Sequence, residues 1–239
     1  MKKPRKSFAL WIAGHIVRGL FSALIFSMCA LLCWRVFFSG ILPSQMKRLE
    51  PNAALKQALD ANGTLSLFTQ EQTSVTRGEG NQGYFGVPRF VFIEQADQVQ
   101  VVLRYNNGTL KSIREDFGLD AVPPRGERIF DTTLTITTDL TPEDQTDNKD
   151  GDPSLHKERI APTSCTIDTT LLYTYYLLTF DNVELTPETL VVYLDIYFEQ
   201  DVNYDQAALG TLRLYHHEEA RIDEELTRKE QKAINAFGG

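Results

Sequence analysis

The sequence predicts a mainly β protein: an antiparallel β-sandwich ectodomain with a single N-terminal transmembrane helix, a short linker helix and a C-terminal helix. An apolar run near the N-terminus, a two-residue apolar period in the middle and a return to helical spacing at the end lead to this fold class. We expect a basic cytoplasmic segment (1–18), a transmembrane signal-anchor (19–42), a stalk or linker (43–63), the β domain (64–215) and a C-terminal helix (216–239).

The apolar run is predicted to cross the lipid bilayer. Gly19–Trp34 is uncharged, but as a helix it would cover only ~24 Å, short of the ~30 Å hydrocarbon layer. Val36–Leu42 extends the run, and the stem of Arg35 can lie along the helix while its guanidinium reaches the headgroups. A start at Phe8 is the alternative, and it would place Arg18 inside the span.

Flanking charges predict the orientation. Basic residues precede the span and no acidic residue occurs before Glu50, so the positive-inside rule places the N-terminus in the cytoplasm and the C-terminal domain outside the cell membrane. A cleaved signal peptide is the competing interpretation. Its apolar core is usually only ~7–15 residues long, and we find no Ala-x-Ala-like cleavage site after Phe38.

Charge and cysteine content restrict the partners of the β domain. All 32 acidic residues lie in 49–239, and such an acidic domain repels phosphate backbones, so we expect no nucleic-acid binding. Cys29 and Cys33 fall in the predicted span, which leaves Cys165 with no intrachain partner outside. This usage fits an exported chain that does not depend on disulfides, and it favours a bacterial cell envelope.

The linker contains a helical pattern. Ala53, Ala54, Leu55, Ala58 and Leu59 recur at spacings of three and four residues. The preceding proline and the following Asn-Gly pair fit the start and the end of a helix. We interpret this segment as a short stalk or packing helix, with a solvated linker as the alternative.

The period of apolar residues changes to two from Thr64 onward, which predicts strands. Asn106-Asn107-Gly108 is a turn signal because Asn and Gly tolerate positive φ. The predicted strands are Phe90–Ile93, Val99–Tyr105, a returning strand at Leu110–Arg114, Arg128–Asp139, one long strand at Thr166–Phe180, Leu190–Phe198 and Leu209–Tyr215. After His216, apolar residues return to helical spacing and predict the C-terminal helix.

An acidic loop is predicted at 139–159, where no apolar period occurs and Pro and Gly interrupt the chain. Part of it, Asp147–Asp152, invites comparison with a calcium-binding loop. When Gly151 is placed sixth, Thr146 comes first and Lys157 twelfth, so the carboxylates required at both ends are missing. We expect a solvated loop and predict neither a metal nor a cofactor.

The search for catalytic motifs returns no complete constellation. A cysteine transpeptidase of the sortase type requires a histidine far upstream of its cysteine and an arginine shortly downstream. Cys165 follows His156 by only nine residues, and no arginine occurs between Arg159 and Arg213. Because thiolate activation needs such neighbours, we expect no enzyme, and a cysteine-dependent envelope transpeptidase is the remote alternative.

Aromatic side chains supply the candidate recognition surface. Tyr193 and Tyr197 flank Asp195 on one face of a strand, and Tyr173 and Tyr175 share a face of the preceding strand. Such tyrosines can anchor a peptide or stack on a sugar ring, although cross-strand tyrosine pairs also stabilise sheets. The leading hypothesis is a non-enzymatic binding or adaptor module with an envelope protein or polysaccharide partner.

A structural or assembly subunit of a membrane complex is the second hypothesis. Gly14, Gly19, Ala23 and Ser27 are small residues in or near the predicted span. Small residues let transmembrane helices approach closely. In this hypothesis the transmembrane helix, and not the β domain, makes the partner contact.

Overall fold

The computed structural model describes residues 8–38, 42–71, 84–116, 120–139, 155–198 and 208–238. The chain divides into two compact units, Met1–Leu42 and Pro43–Gly239. The helices are α1 (Phe8–Phe38), α2 (Ala53–Asn62), α3 (Leu110–Asp116) and α4 (Arg228–Asn235). The strands are β1 (Leu67–Thr69), β2 (Phe85–Ile93), β3 (Gln98–Asn106), β4 (Phe130–Asp139), β5 (Leu155–Ile160), β6 (Ser164–Thr169), β7 (Tyr173–Asp181), β8 (Thr189–Phe198), β9 (Gly210–His216) and β10 (Ile222–Glu224).

Helix α1 makes up the described part of the first unit. It begins at Phe8, upstream of the predicted start of the span, and runs for 31 residues. Its segment His15–Trp34 is long and apolar enough to cross a membrane, and all of its residues are exposed. Arg18 lies within this segment. Length and composition alone do not distinguish this segment from a signal sequence near the N-terminus.

The second unit is mainly β and contains two antiparallel sheets, as the alternating apolar pattern predicts. One sheet has six strands in the order β10-β1-β2-β3-β7-β6, and the other has four in the order β5-β4-β8-β9. In both sheets, strands rich in valine, threonine and aromatic residues present alternate side chains to opposite faces. A mainly β fold with one N-terminal apolar helix is therefore confirmed.

One apolar cluster, the main cluster, takes side chains from both sheets. Phe130 of the four-stranded sheet contacts Phe85 and Tyr105 of the six-stranded sheet edge to face, with ring centroids 4.9 and 5.3 Å apart. Phe68 and Tyr215 make a similar contact between the sheets at 6.3 Å. Aromatic pairs of this geometry add to the hydrophobic stabilisation of a core.

A second apolar cluster covers the opposite face of the six-stranded sheet, which we call the outer face. Leu55 of α2 and Ile234 of α4 are fully buried in it, together with Val91 and Ile93 of β2. Asn52 caps the N-terminus of α2 by accepting a hydrogen bond from Leu55 N, and Gly63 ends the helix at φ +73°. Helix α2 thus packs on a sheet and is part of the folded unit.

One exposed edge of the four-stranded sheet is closed by a side chain. The Gln70 amide donates from Nε2 to the carbonyl oxygen of His216 at 3.0 Å and accepts from the His216 N–H at 2.9 Å. These two bonds imitate the pairing of a neighbouring strand at the end of β9.

The predicted strand at Leu110–Arg114 is wrong, because this segment is helix α3. Asn106 accepts a hydrogen bond from Gly108 N at 2.8 Å, and a short turn then leads directly into the helix. Leu110 and Ile113, three residues apart, are both buried in the main cluster. Strand β3 already pairs with β2 and β7, so no position beside it is left for a returning strand.

Three further boundaries differ from the prediction. The acidic loop predicted at 139–159 extends too far, because Leu155–Ile160 is strand β5 and pairs with β4 along its whole length. The single strand predicted at Thr166–Phe180 is a hairpin of β6 and β7, which the Thr170 hydroxyl closes by bonding both main-chain groups of Tyr173. The helix predicted over 216–239 is confined to α4, and the short strand β10 precedes it. Thr227 and Glu230 form a reciprocal capping box at the start of α4, which sets that boundary.

Candidate functional site

The five predicted recognition residues do not form one surface. Tyr173 and Tyr175 lie on β7 of the six-stranded sheet, whereas Tyr193, Asp195 and Tyr197 lie on β8 of the four-stranded sheet. Each group faces away from the main cluster, because the alternating residues of both strands are buried in it. The structure therefore contains two separate candidate surfaces.

On β8, hydrogen bonds within the sheet occupy the carboxylate of Asp195. Asp195 accepts hydrogen bonds from the hydroxyls of Thr135 and Thr211, both at 2.6 Å. Tyr197 is only 6% exposed, and burial raises the pKa of its hydroxyl, with the negative charge of Asp195 adding to the effect. These contacts fix the strand to its neighbours β4 and β9, so Asp195 and Tyr197 stabilise the sheet, and Tyr193 lies half-buried on the same face.

On β7, the tyrosines lie in a row of charged side chains. Arg104 of β3, Tyr175 of β7 and Asp168 of β6 are directly opposite one another across the three strands. Tyr175 is fully buried, and this burial raises the pKa of its hydroxyl, whereas the positive charge of Arg104 lowers it. Tyr175 therefore packs between Arg104 and Asp168 and exposes no surface that a partner could contact.

Arg104 and Tyr173 form the accessible part of this face. The guanidinium carbon of Arg104 lies 5.0 Å from the ring centroid of Tyr173, which is a cation–π contact. The rings of Tyr173 and Tyr175 are 6.1 Å apart. Gly86 lies opposite Arg104 on β2, and a Cβ atom there would be 3.5 Å from Arg104 Nε. The absence of a side chain at Gly86 leaves the guanidinium uncovered from that direction.

Arg104 differs from the other half-buried arginines that the structure describes. Arg89, Arg114, Arg128 and Arg213 each have a carboxylate within ion-pair distance. Among the residues that the structure describes, no carboxylate lies within that distance of Arg104. Arg104 thus carries a positive charge that the described part of the fold does not neutralise.

The alternation within the predicted strand Val99–Tyr105 places Arg104 on its polar side and gives no further sign of a functional role. The signal that identifies it is its register opposite Tyr175, and this pairing joins segments about seventy residues apart. No pattern in the local sequence indicates which strands become neighbours in an antiparallel sheet.

The outer face already holds one carboxylate of the chain itself. Glu50 accepts hydrogen bonds from the hydroxyls of Ser164, Thr166 and Thr179 at 2.7 to 3.0 Å. The Gln100 side chain accepts from Glu50 N at 2.7 Å and donates to Glu50 O at 2.9 Å. The segment Pro43–Glu50, here called the strap, is thereby bound to three strands of the six-stranded sheet.

The backbone separates the two residues of the cysteine hypothesis. Cys165 lies on β6 of the six-stranded sheet, where it packs against the main cluster. His156 lies on β5 of the other sheet, opposite Thr138. The predicted calcium-like segment 147–152 lies outside the described residues. Within the described ranges, no group of three or more His, Cys, Asp or Glu residues is arranged to hold a metal ion.

An open depression of about 660 Å³ lies between α2 and the C-terminal residues. Lys56 Nζ donates to the carbonyl oxygen of Phe237 across it at 2.8 Å. Lys56, Gln57 and Asp60 also line it, but it is an open depression, whereas small-molecule sites enclose most of their ligand. No protein-family profile, no curated protein and no solved structure matches this chain.

Proposed function

We propose that this chain is a single-pass membrane protein whose β domain, held outside the cell membrane, is a non-enzymatic binding or adaptor module of the cell envelope. In this proposal α1 is an uncleaved anchor with its N-terminus in the cytoplasm. The basic residues before the span and the acidic composition after it support this orientation.

The two antiparallel sheets are proposed to form a β-sandwich. The main cluster, which takes side chains from both sheets, supports this arrangement. A sandwich leaves the outer face of each sheet for contacts outside the core. On the six-stranded sheet, α2, α4 and the strap cover part of that face, and Arg104 and Tyr173 lie beyond the residues that the strap binds.

The observation that carries the proposal is the unneutralised guanidinium of Arg104, stacked on Tyr173. Arginine and tyrosine are the residues most enriched at the energetic centres of protein interfaces. A protein partner is favoured over a polysaccharide, because Arg104 covers one face of the Tyr173 ring and Tyr175 is buried. A sugar would need a free aromatic face on which to stack.

Photo-crosslinking in native membranes tests the proposed surface. A photoreactive amino acid at position 173 should form a specific adduct with an envelope protein, and the same amino acid at position 193 on the other sheet should not. Protease added to intact cells should degrade the β domain and spare the N-terminal basic segment. An intact β domain in that experiment would refute the proposed orientation.

A second candidate is an assembly subunit that associates through α1. Residues 15–34 are exposed along the whole segment, and a Cβ atom at Gly19 would meet no other atom within 4 Å. Gly19, Ala23 and Ser27 are four residues apart, so they share one face of the helix. Gly19→Leu should then abolish co-purification of the partner, whereas substitution of Tyr173 should not.

A further inference from the structure

We propose that the row Arg104–Tyr175–Asp168 on the outer face of the six-stranded sheet is a two-charge docking site for a protein partner. Arg104 binds a carboxylate of the partner, and Asp168 binds a cationic group. This inference rests on the proposed binding function and adds the chemistry of what is bound.

The register of the strands places the two charges. Arg104 is directly opposite Tyr175, and Tyr175 is directly opposite Asp168. Neighbouring strands are ~4.8 Å apart, so the Arg104 and Asp168 backbones are separated by about 10 Å across the face. Among the described residues neither charge has an ion-pair partner. Two opposite charges therefore remain available at a fixed spacing.

The buried tyrosine between them makes the spacing rigid. Tyr175 is fully buried, and Arg104 acts electrostatically on its hydroxyl from one side and Asp168 from the other. The ring of Tyr173 also positions the guanidinium of Arg104, whose Cζ lies 5.0 Å from the ring centroid. A guanidinium that is already positioned loses less conformational entropy on binding a carboxylate in the bidentate mode.

The strap provides an example of the same chemistry on the same face. Glu50 shows that this face accepts a carboxylate of a segment that packs on it, through the hydroxyls of Ser164, Thr166 and Thr179. Those hydroxyls are taken by Glu50 and are not available to a partner. Arg104 offers a second place where a carboxylate can bind. It lies on the same face of β3 as Gln100, with Val102 between them.

A short peptide with matching charges is the probe. The peptide Ac-Glu-Pro-Pro-Lys-NH2 adopts the polyproline conformation, which places its Glu and Lys on one side, about 9 Å apart. It is titrated into the full chain in lipid nanodiscs, with ¹⁵N-arginine labelling to follow the side-chain Nε resonances. Ac-Gln-Pro-Pro-Lys-NH2 lacks the carboxylate, Ac-Glu-Pro-Pro-Gln-NH2 lacks the cation, and chitotriose represents a polysaccharide.

We expect the Glu/Lys peptide to shift the Arg104 resonance and to bind about tenfold more tightly than either single-charge peptide. Arg104→Gln should abolish binding, Arg104→Lys should weaken it, and Asp168→Asn should remove the advantage of the Lys peptide over its Gln counterpart. Arg213→Gln, on the other sheet, is the matched control and should leave binding unchanged. Thermal unfolding of each variant verifies that it is folded.

Equal binding of the Gln/Lys peptide, a shift caused by chitotriose alone, or no shift at about 10 mM Glu/Lys peptide would overturn the inference. Crosslinking from position 173 separates the two proposals. If the adduct with an envelope protein forms equally in wild type and in Arg104→Gln, the binding function stands and the two-charge site is wrong. If no adduct forms in wild type, the binding function itself is wrong.

Discussion

The backbone N–H of Leu49 donates a hydrogen bond to Glu230 Oε1 at 3.0 Å, although the two residues are 181 positions apart in the sequence. Glu230 is only 5% exposed, and Arg89 lies 3.6 Å from the same oxygen. Its other oxygen accepts from the main chain and hydroxyl of Thr227. One buried carboxylate of α4 therefore secures both the end of the strap and the start of its own helix.

Glu230→Gln should destabilise the β domain by about 1–3 kcal/mol, because the buried Leu49 N–H loses a charged acceptor and the half-buried Arg89 loses one of its two carboxylates. Hydrogen exchange of the Leu49 amide should accelerate as well, since its acceptor is weakened. Urea unfolding and exchange mass spectrometry measure the two effects. Glu225→Gln, at an exposed position nearby, is the control and should change neither.

Substitution of Glu50 should release the strap. Glu50→Ala leaves the hydroxyls of Ser164, Thr166 and Thr179 without their shared acceptor, and the cost should be about 1–3 kcal/mol. Trypsin should then cut more rapidly after Arg48, because this exposed residue lies in a backbone segment that is no longer held against the sheet. Glu184→Ala, an exposed residue, is the control. An unchanged cleavage rate at Arg48 would show that the strap is held by other contacts.

Tyr176 should link stability to alkaline pH. Its hydroxyl accepts from Ile129 N at 2.8 Å and donates to the Glu127 carbonyl at 3.0 Å, and burial raises its pKa far above the usual value. The pKa of Tyr176 is therefore higher in the folded protein than in the unfolded chain. Its contribution to the free energy of unfolding is fully present below about pH 10, the ordinary tyrosine pKa, and decreases above it by about 1.4 kcal/mol per pH unit.

Tyr176→Phe removes this titration together with the two hydrogen bonds. We expect a loss of about 1–3 kcal/mol at neutral pH and a shallower decline of stability between about pH 10 and pH 11. Urea midpoints at a series of pH values measure both. Tyr193→Phe is the comparison variant on the other sheet. A decline as steep as that of the wild type would assign the alkaline transition to other tyrosines.

Alanine substitutions at two glycines with positive φ should separate the cost of backbone strain from the cost of a steric clash. Gly63 and Gly126 have φ of +73° and +78°, but a Cβ atom at Gly126 would lie 3.0 Å from Thr169 Oγ1, whereas one at Gly63 would meet nothing within 4 Å. Gly63→Ala should cost about 1 kcal/mol from strain alone. Gly126→Ala should cost more, and Thr169→Ala should recover the difference in a double variant measured by urea unfolding.

The strands with clear alternation were predictable because each has one face in the main cluster. Phe90 and Phe92 of β2 and Leu194 and Ile196 of β8 are buried as their spacing indicates. The turn between β6 and β7 was not predictable from Gly, Pro or Asn, since Thr170 closes it with its hydroxyl. The boundary of α4 did have a local signal, the Thr-x-x-Glu pattern at Thr227.

The candidate site was predictable only in part. Tyr173 was identified from its aromatic character and strand position, but its neighbour Arg104 comes from a strand that is distant in the sequence. The grouping of Tyr173 with Tyr193 assumed that consecutive strands are neighbours. In this fold β7 pairs with β3 and β6, and β8 pairs with β4 and β9, so these two consecutive strands belong to different sheets.

The pairing of the Gln70 amide with both main-chain groups of His216 has a consequence for the protein at high local concentration. The unpaired backbone groups of an edge strand can pair with strands of other chains, and such pairing leads to aggregation. With Gln70 in place, the last position of β9 has no vacant donor or acceptor to start such pairing. Gln70 therefore blocks the addition of a foreign strand at this one position of the edge.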